Sequence, residues 1–272
     1  MRHPLSIRSG LAAVALSLAC AKAPMRSADN IAWSGFVWAP VQAGGAVLAR
    51  GAVLLPVVLD GAPGRTYFLQ LDTGAGWPQW YEVPLRRVLP NALRDGPAQD
   101  ELVLRGSVGG YSLRADTFAI RKSFGDVPGR VRPIIGTLGL RFFRGRVLLL
   151  DFPRQRFAIL DSAQRLPQHI TDNASFVPIT YRNGHAFIPL RLGSQFVNDF
   201  FYDSGASLFP FTTPPELWRT LTGRTGNEGN NTRWRVSSWG KSLEMIGAPL
   251  AAGSPFVADV GMYNCHHLTD PP

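Results

Sequence analysis

The chain has 272 residues, of which 45% are hydrophobic and 17% are charged, the balance of a globular protein with room for one large domain or two lobes. Its formal net charge of +9 comes almost entirely from arginine, because Lys22, Lys122 and Lys241 are the only lysines. No run of basic residues and no aromatic–basic module accompanies this charge. We therefore expect scattered, solvated arginines and no nucleic-acid partner.

The first part of the chain has the pattern of an export signal. Arg2 and Arg8 precede the apolar run LAAVALSLA at 11–19, which is too short to cross a bilayer as a helix. The run is followed by small residues, as at a cleavage site. We predict a signal peptide over residues 1–23 and an exported protein, located in the bacterial periplasm or associated with the cell envelope.

The same segment raises the question of a lipid anchor. LSLAC resembles a bacterial lipoprotein box with Cys20 as the lipidation candidate, although Ser17 stands where that pattern has a large aliphatic residue. Plain cleavage and lipidation at Cys20 are the two alternatives, and membrane contact is expected only through such an anchor. The other cysteine, Cys265, has no internal partner after cleavage, so we expect no disulfide framework.

Beyond residue 45 the chain alternates short apolar runs with Gly, Pro and Asn, a pattern typical of strands joined by turns. Helical periodicity is scarce. The best helix candidate is PPELWRTLTG at 214–223, which begins with proline and ends with glycine. The sequence therefore predicts an all-β protein. Its clearest predicted strands are AVLLPVVL (52–59), TYFLQL (66–71), ELVLRGSV (101–108) and RVLLLDF (146–152).

Three landmarks occur twice, in the same order, which predicts an internal duplication. The spacing is nearly conserved between the copies: Ser112 follows Asp72 by 40 residues, and Ser242 follows Asp203 by 39. The landmarks are LPVVLDG (55–61) with IPLRLGS (188–194), DTGA (72–75) with DSGA (203–206), and GSVGGYSL (106–113) with SSWGKSL (237–243).

Each residue type in the two Asp-Thr/Ser-Gly triplets has a chemical use. Glycine permits a tight turn and the close approach of another backbone. The hydroxyl group can form hydrogen bonds across a pseudo-twofold axis and join the two turns. Two carboxyl groups within hydrogen-bond reach share a proton, so one can act as a general base on water while the other polarises a carbonyl group. The candidate catalytic residues are Asp72 and Asp203, supported by Thr73, Gly74, Ser204 and Gly205.

With these motifs the chain resembles the aspartic peptidases, both the bilobal pepsin-like enzymes and the half-sized, homodimeric retropepsins. LDTGA is followed by PIIGTLGL at 133–140, similar to the apolar-apolar-Gly segment that packs beneath the catalytic turn in that family. YDSGASLFPF resembles the second pepsin-like motif. The resemblance implies an all-β bilobal fold, two duplicated β-barrel lobes with a cleft between them. The lobes would span 24–165 and 166–272, and the activity would be hydrolysis of peptide bonds in an extended peptide or protein.

Two departures from the family pattern concern the flap and the end of the second lobe. Val103 stands where pepsin-like enzymes carry a flap tyrosine, and Tyr111 at the next hairpin is the substitute candidate. If the second lobe kept the spacing of the first, its apolar-apolar-Gly segment would fall near residue 267, where NCHHLTDPP stands instead. The second lobe is therefore expected to be incomplete, with no strand beneath Asp203 equivalent to Ile134, Ile135 and Gly136.

Three functions remain open at this point: an aspartic endopeptidase, a weakly active or inactive protein of the same fold that binds peptides, and a peptidase formed by a dimer of first lobes. The sequence leaves the oligomeric state open. Cys265, His266 and His267 lack the spacing of metal ligands, and no glycine loop has the context of a nucleotide site. We therefore expect neither a metal nor a cofactor.

Overall fold

The computed structural model describes residues 31–43, 46–62, 64–93, 99–113, 115–122, 132–172, 174–192, 195–205, 211–225, 232–238, 241–248 and 261–264, and the structural statements below concern these ranges. The predicted signal segment lies outside them, together with its lipidation candidate Cys20. Cys265, His266 and His267 also lie outside them.

Strands dominate the first part of the described chain. All but one of them have two to seven residues, the lengths expected of runs broken by Gly, Pro and polar residues. In chain order they are β1 (Ser34–Gly35), β2 (Val37–Ala43), β3 (Ala46–Leu59), β4 (Tyr67–Asp72), β5 (Gln79–Tyr81), β6 (Glu101–Val103), β7 (Gly106–Val108), β8 (Tyr111–Ser112), β9 (Thr117–Arg121), β10 (Ile134–Gly139), β11 (Val147–Asp151) and β12 (Arg156–Leu160).

The second part of the chain continues in the same way, so the all-β class predicted from the sequence is confirmed. Its strands are β13 (Thr180–Arg182), β14 (His185–Leu192), β15 (Gln195–Asp203), β16 (Phe211–Thr213), β17 (Thr232–Ser238), β18 (Lys241–Ala248) and β19 (Gly261–Asn264). The helices are short: α1 (Glu82–Val88), α2 (Gln168–Thr171), α3 (Pro215–Thr222), and 3₁₀ turns at Leu140–Phe143 and Ala163–Arg165.

The first sheet contains the strand that ends at Asp72. Its order is β6-β9-β5-β10-β4-β3-β7-β8, and β2 also pairs with β3. Along β4 the side chains alternate between buried and partly exposed, which is the period-2 signature of a strand with one face on the core. Leu69 and Leu71 occupy the inner face, fully buried with Leu55 and Trp80 from neighbouring strands. This packing holds the end of β4 in a fixed place.

The second sheet contains the strand that ends at Asp203, in the order β13-β14-β15-β19-β16-β18-β17. A third sheet, β1-β12-β11, packs on the tip of the β7–β8 hairpin, where a side chain at Gly109 would overlap Phe157. Both large sheets belong to one compact unit, Ile31–Pro272.

The central strands of the two large sheets have the same arrangement. In the first, β3 and β4 form an antiparallel pair, and β10 lies between β4 and β5. In the second, β14 and β15 form the equivalent pair, and β19 lies between β15 and β16. The direction of the inserted strand differs: β10 runs parallel to β4, whereas β19 runs antiparallel to β15.

The third repeated landmark forms a hairpin in both parts, with matching serine pairs: Ser107 lies opposite Ser112 and Ser237 opposite Ser242. The two hairpins nevertheless occupy different places. The first extends the sheet beyond β3, whereas the second extends it beyond β16. The sequence repeat therefore marks equivalent local hairpins that are not equivalent in sheet order.

The predicted helix at 214–223 is confirmed as α3, with Pro215 in its first turn and Gly223 in the left-handed conformation that ends it. The strand predicted over 101–108 is wrong as a single element. Its first part pairs with β9 and its second with β3, because the backbone at Gly106 passes against Val58, where a side chain would not fit.

Candidate active site

The two triplets lie where two strands end. β4 ends at Asp72 and β15 ends at Asp203, and each aspartate is followed by a turn. A side chain at Gly74 would overlap the carboxyl group of Asp203, and one at Gly205 would overlap the carboxyl group of Asp72. Each glycine therefore leaves the space that the opposite carboxyl group occupies. The structure thus brings together Asp72 and Asp203, which are far apart in sequence, and a hydrogen bond joins their side chains.

A reciprocal set of hydrogen bonds joins the two turns. The backbone N–H of Thr73 donates to Ser204 Oγ at 2.9 Å, and the backbone N–H of Ser204 donates to Thr73 Oγ1 at 2.9 Å. Each hydroxyl group also donates to the carbonyl oxygen before the opposite aspartate: Thr73 to Tyr202 at 3.0 Å, and Ser204 to Leu71 at 3.4 Å. Both side chains are buried, so water cannot replace these bonds. The network fixes the separation of the two carboxyl groups.

The turns also supply hydrogen bonds to the carboxyl groups themselves. Asp72 Oδ1 accepts from the backbone N–H groups of Gly74 at 3.0 Å and Ala75 at 3.1 Å. Asp203 Oδ1 accepts from the backbone N–H of Gly205 at 2.8 Å. These bonds orient one oxygen of each carboxyl group toward its own turn. Such donors favour the ionised form of a carboxyl group.

The two carboxyl groups cannot both ionise cheaply. Burial, and then the charge of the neighbouring Asp72, raise the pKa of Asp203 from its ordinary value of 3.8 to about 7, against the opposing effect of the Gly205 N–H. Asp203 therefore keeps a proton in weak acid. A pair that shares a proton supplies an acid and a base side by side.

This raised pKa makes the free energy of unfolding depend on pH. Between pH values of about 4 and 7 the folded state binds more protons at Asp203 than the unfolded state does, so stability falls as pH rises through this window. Asp203→Asn removes this fall of stability with pH, because the amide group of the asparagine can donate to Asp72 without carrying a charge. We expect the variant to be more stable than the wild type at pH 8, on the order of a few kcal/mol, and equally stable at pH 4.

Urea unfolding of both proteins at the two pH values measures the effect, and the difference between them cancels the titration of other groups. Asp100→Asn is the matched control, because the Asp100 side chain is 87% exposed. An Asp203→Asn protein whose stability changes with pH in parallel with that of the wild type would contradict the assignment of the proton to Asp203.

The strand next to each aspartate presents a glycine to it. Gly139 of β10 lies opposite Asp72, and Gly261 of β19 lies opposite Asp203. The expected apolar-apolar-Gly segment of the first part pairs with β4, but Ile134 and Gly136 lie opposite Phe68 and Leu69 rather than opposite Asp72. The second part was expected to lack a strand at this place. The structure places β19 there, in the reverse direction. This strand could not be expected from the sequence, because GMYN lacks the apolar-apolar-Gly pattern.

His185 is a residue near the pair that the sequence analysis did not connect with it. It begins β14, forms a hydrogen bond with the backbone of Gly74, and lies close enough to Asp72 to feel its charge. Its ring packs edge-on against Phe201 at 4.9 Å. Burial lowers the pKa of His185 in spite of these two favourable partners. The turn Asn183–Gly184, with both φ angles positive, predicts a hairpin here, but nothing local indicates that its end touches the first triplet.

Tyr111, the flap candidate, lies in β8 on the far side of a two-residue turn at Gly109 and Gly110. Its ring packs edge-on against Phe142 at 6.0 Å and lies beneath the Arg146 guanidinium at 5.1 Å. Burial raises the pKa of Tyr111, as does a hydrogen bond to Asp161. Among the described residues, the contacts found for Tyr111 are with this cluster and not with the two aspartates.

Within the described ranges, no three His, Cys, Asp or Glu side chains gather closely enough to hold a metal ion. The helices of the described chain include none that combines the length and the apolar character needed to cross a bilayer. Comparison with known proteins adds nothing to this geometry: no protein-family model matches the chain, and no curated protein matches it.

Proposed function

We propose that this protein is an aspartic-type endopeptidase in which Asp72 and Asp203 form the catalytic pair. The observation that carries the proposal is the reciprocal bonding of Thr73 and Ser204, which holds two buried turns so that each aspartate faces the glycine of the other turn. Burying two carboxyl groups side by side is unfavourable for a purely structural turn. A shared proton between them suits the hydrolysis of an amide bond.

The chemistry assigns a different task to each carboxyl group. The Asp72 carboxylate takes a proton from a water molecule as the water oxygen bonds to the peptide carbonyl carbon. Asp203, whose pKa is raised, gives its proton to the carbonyl oxygen. The tetrahedral intermediate then collapses: Asp72 gives the proton it took from water to the leaving nitrogen, the C–N bond breaks, and one hydroxyl proton of the intermediate returns to Asp203. The substrate is an extended peptide, bound by strand-like hydrogen bonds.

We also propose the finer fold that goes with this activity, a bilobal arrangement with one aspartate from each lobe. The matched pairs β3–β4 and β14–β15, each with a further strand beside the aspartate, support it. The contact between Asp72 and Asp203 within one chain favours a pair formed by one molecule over a dimer of first lobes. Export remains part of the proposal, on the strength of the arginine-flanked apolar run at 11–19.

A second candidate is a protein of the same fold that binds peptides and cuts them slowly or not at all. It is favoured by one observation, the reversed direction of β19 beside Asp203. Catalysis needs the two carboxyl groups held within about half an ångström of the productive geometry. Because β19 beside Asp203 runs in the opposite direction to β10 beside Asp72, the Asp203 carboxyl group is the one whose position would depart from that geometry.

Peptide cleavage as a function of pH tests the proposed function. We expect the protein to cut unstructured peptides below neutral pH and to lose activity as pH rises through about 7, because Asp203 then loses its proton. Mass spectrometry of the products gives the cleaved bonds, and a pepstatin-type inhibitor is expected to stop the reaction. A folded protein that binds peptides over pH 3–8 without cutting them would establish the second candidate instead.

A further inference from the structure

A cavity of about 520 Å³ lies beside the first catalytic turn. One side is formed by Gly76 and Trp77, which follow Ala75 in the chain, and by Arg141 and Arg144. The other side is formed by Tyr181 and by the turn at Gly184, from the β13–β14 hairpin of the second sheet. We refer to this cavity as the arginine pocket.

The backbone that carries the arginines is tied to the catalytic turn. The N–H groups of Leu140 and Arg141 donate to the carbonyl oxygens of Ala75 at 2.8 Å and Gly76 at 3.1 Å. The N–H of Arg144 donates to the carbonyl oxygen of Arg141 at 3.1 Å. The Arg141 guanidinium stacks on the Trp77 ring, 3.5 Å from its centre. This stacking holds the planar group in one orientation without using its N–H donors.

No carboxylate among the described residues balances the positive charge of the pocket. The residues that line it include no aspartate or glutamate. Within the described chain, neither the Arg141 nor the Arg144 side chain forms an ion pair, in contrast to Arg146, Arg154 and Arg156, which each bind a carboxylate. Both arginines are exposed and can offer guanidinium N–H donors to an anion, which arginine binds through charge-assisted hydrogen bonds.

The pocket also exposes aromatic surface. The Trp77 side chain is 46% exposed and that of Tyr181 is 64% exposed, although both are large and partly apolar. Exposed aromatic rings beside a cationic group are typical of a binding surface rather than of a solvated face. Together with the arginines, they suit a chain that carries both a negative charge and apolar parts.

The position of the pocket connects it with the two aspartates. A side chain at Gly76 would press on the Gly184 carbonyl group, and the next residue, His185, bonds to the backbone of Gly74. Gly76 is four residues from Asp72, a distance of at most about 14 Å along the chain. An extended peptide that passes the aspartates can therefore reach the pocket at most about four residues from the bond between them.

We propose that the arginine pocket is a substrate subsite that binds a carboxylate of the peptide, three or four residues from the cleaved bond. The carboxylate comes either from an Asp or Glu side chain or from the C-terminus of the peptide, and both fit the same two guanidinium groups. The proposal rests on the proposed peptidase function and names its substrate class. The formal net charge also favours acidic chains: it is +9 for the full chain and +6 (9 − 3) without Arg2, Arg8 and Lys22 of the predicted signal peptide.

Matched peptides test the subsite. One has a glutamate at the proposed position and an amidated C-terminus, a second has glutamine there with the same amide, and a third has glutamine and a free C-terminal carboxylate at that distance. We expect kcat/KM of the wild type to be about 10- to 100-fold higher for the glutamate peptide than for the neutral one, the usual worth of a charge-assisted hydrogen bond. The third peptide shows whether a terminal carboxylate is accepted as well. The glutamate-to-neutral ratio is expected to fall in 0.5 M salt.

The double variant Arg141→Gln, Arg144→Gln is expected to bring this ratio close to one. The control is Arg65→Gln with Arg154→Gln, which changes the net charge equally at exposed sites away from the pocket and is expected to keep the ratio. Two results would overturn the subsite and leave the peptidase function intact. In one, the wild type cuts both carboxylate peptides with the same kcat/KM as the neutral peptide. In the other, the pocket variant keeps the wild-type preference for a carboxylate peptide.

Binding separates failure of the subsite from failure of the proposed function. The same peptides, fluorescently labelled, are titrated with the Asp72→Asn protein, alone and combined with the pocket substitutions. Tighter binding of a carboxylate peptide that disappears with Arg141→Gln, Arg144→Gln supports the subsite even if the wild type cuts nothing. Equal binding of all peptides, or binding of none without any cleavage, counts against it.

Discussion

Asp72→Asn and Asp203→Asn are each expected to reduce peptide cleavage by about 10⁴-fold or more, because each removes one member of a pair that acts as a unit. Asn at position 72 cannot accept the proton of the attacking water, and Asn at position 203 has no acidic proton to give. For the same reason the double variant is expected to be no slower than either single variant. Single-turnover rates at pH values below 7 give the comparison, with the same substrate for all four proteins.

Folding is the necessary control for this result. An asparagine oxygen can still accept the N–H bonds that Gly74 and Gly205 donate, so both variants are expected to keep the native circular dichroism. Asp203→Asn is expected to be at least as stable as the wild type at neutral pH, by the linkage described above. A folded single variant that cuts at close to the wild-type rate would exclude the paired-carboxylate mechanism. Residual cleavage that varies between separate preparations of the same variant would point to a contaminating peptidase.

Those parts of the fold that depend on local pattern could be predicted from the sequence. The alternation of buried and partly exposed residues along β4 follows directly from YFLQLD, and the proline and glycine at the ends of α3 mark its limits. Helix α1 could not be predicted in this way. It is short, carries Pro84 inside its first turn, and buries only Leu85, so it shows no helical periodicity.

Contacts between distant parts of the chain were predictable only where a repeat indicated them. The pairing of Asp72 with Asp203 follows from two copies of one triplet, and so does the proposal that the hydroxyl groups join the turns. No repeat indicates that His185 touches Gly74, or that Tyr181 and Arg144 line one cavity. The pairing of β19 with β15 could not be predicted either, since nothing in GMYN specifies a partner strand or a direction.

The contacts of the β7–β8 hairpin bear on the flap role expected of Tyr111. A flap must be free to open and close over a substrate. The tip of the β7–β8 hairpin instead packs on Phe157 and Ser34, and Gly109 provides the space for that contact. Arg146, which is paired with Asp116 at 2.6 Å, covers the Tyr111 ring. The hairpin is thus part of the packed core, and the flap role of Tyr111 remains a prediction without a contact to support it.

Thr73→Val is expected to destabilise the protein by about 2–4 kcal/mol, although valine has nearly the same shape as threonine. The change leaves the buried N–H of Ser204 without its acceptor and the carbonyl oxygen of Tyr202 without the hydroxyl donor. Ser204→Ala removes the corresponding partners of the Thr73 N–H and the Leu71 carbonyl group. Thr73→Ser keeps the hydroxyl group and is expected to recover most of the loss.

Because the two hydroxyl groups belong to one network, the double variant Thr73→Val, Ser204→Ala is expected to cost less than the sum of the single variants. Urea midpoints at constant slope give the four free energies of this cycle. Thr220→Val is the matched control, since the Thr220 hydroxyl also donates to a backbone carbonyl, that of Glu216, but at an exposed site on α3. If Thr73→Val costs no more than Thr220→Val, or if the two costs simply add, the hydroxyl groups do not join the turns in the way the hydrogen bonds describe. If the costs couple and catalysis falls with them, the same network holds both the fold and the separation of the two carboxyl groups.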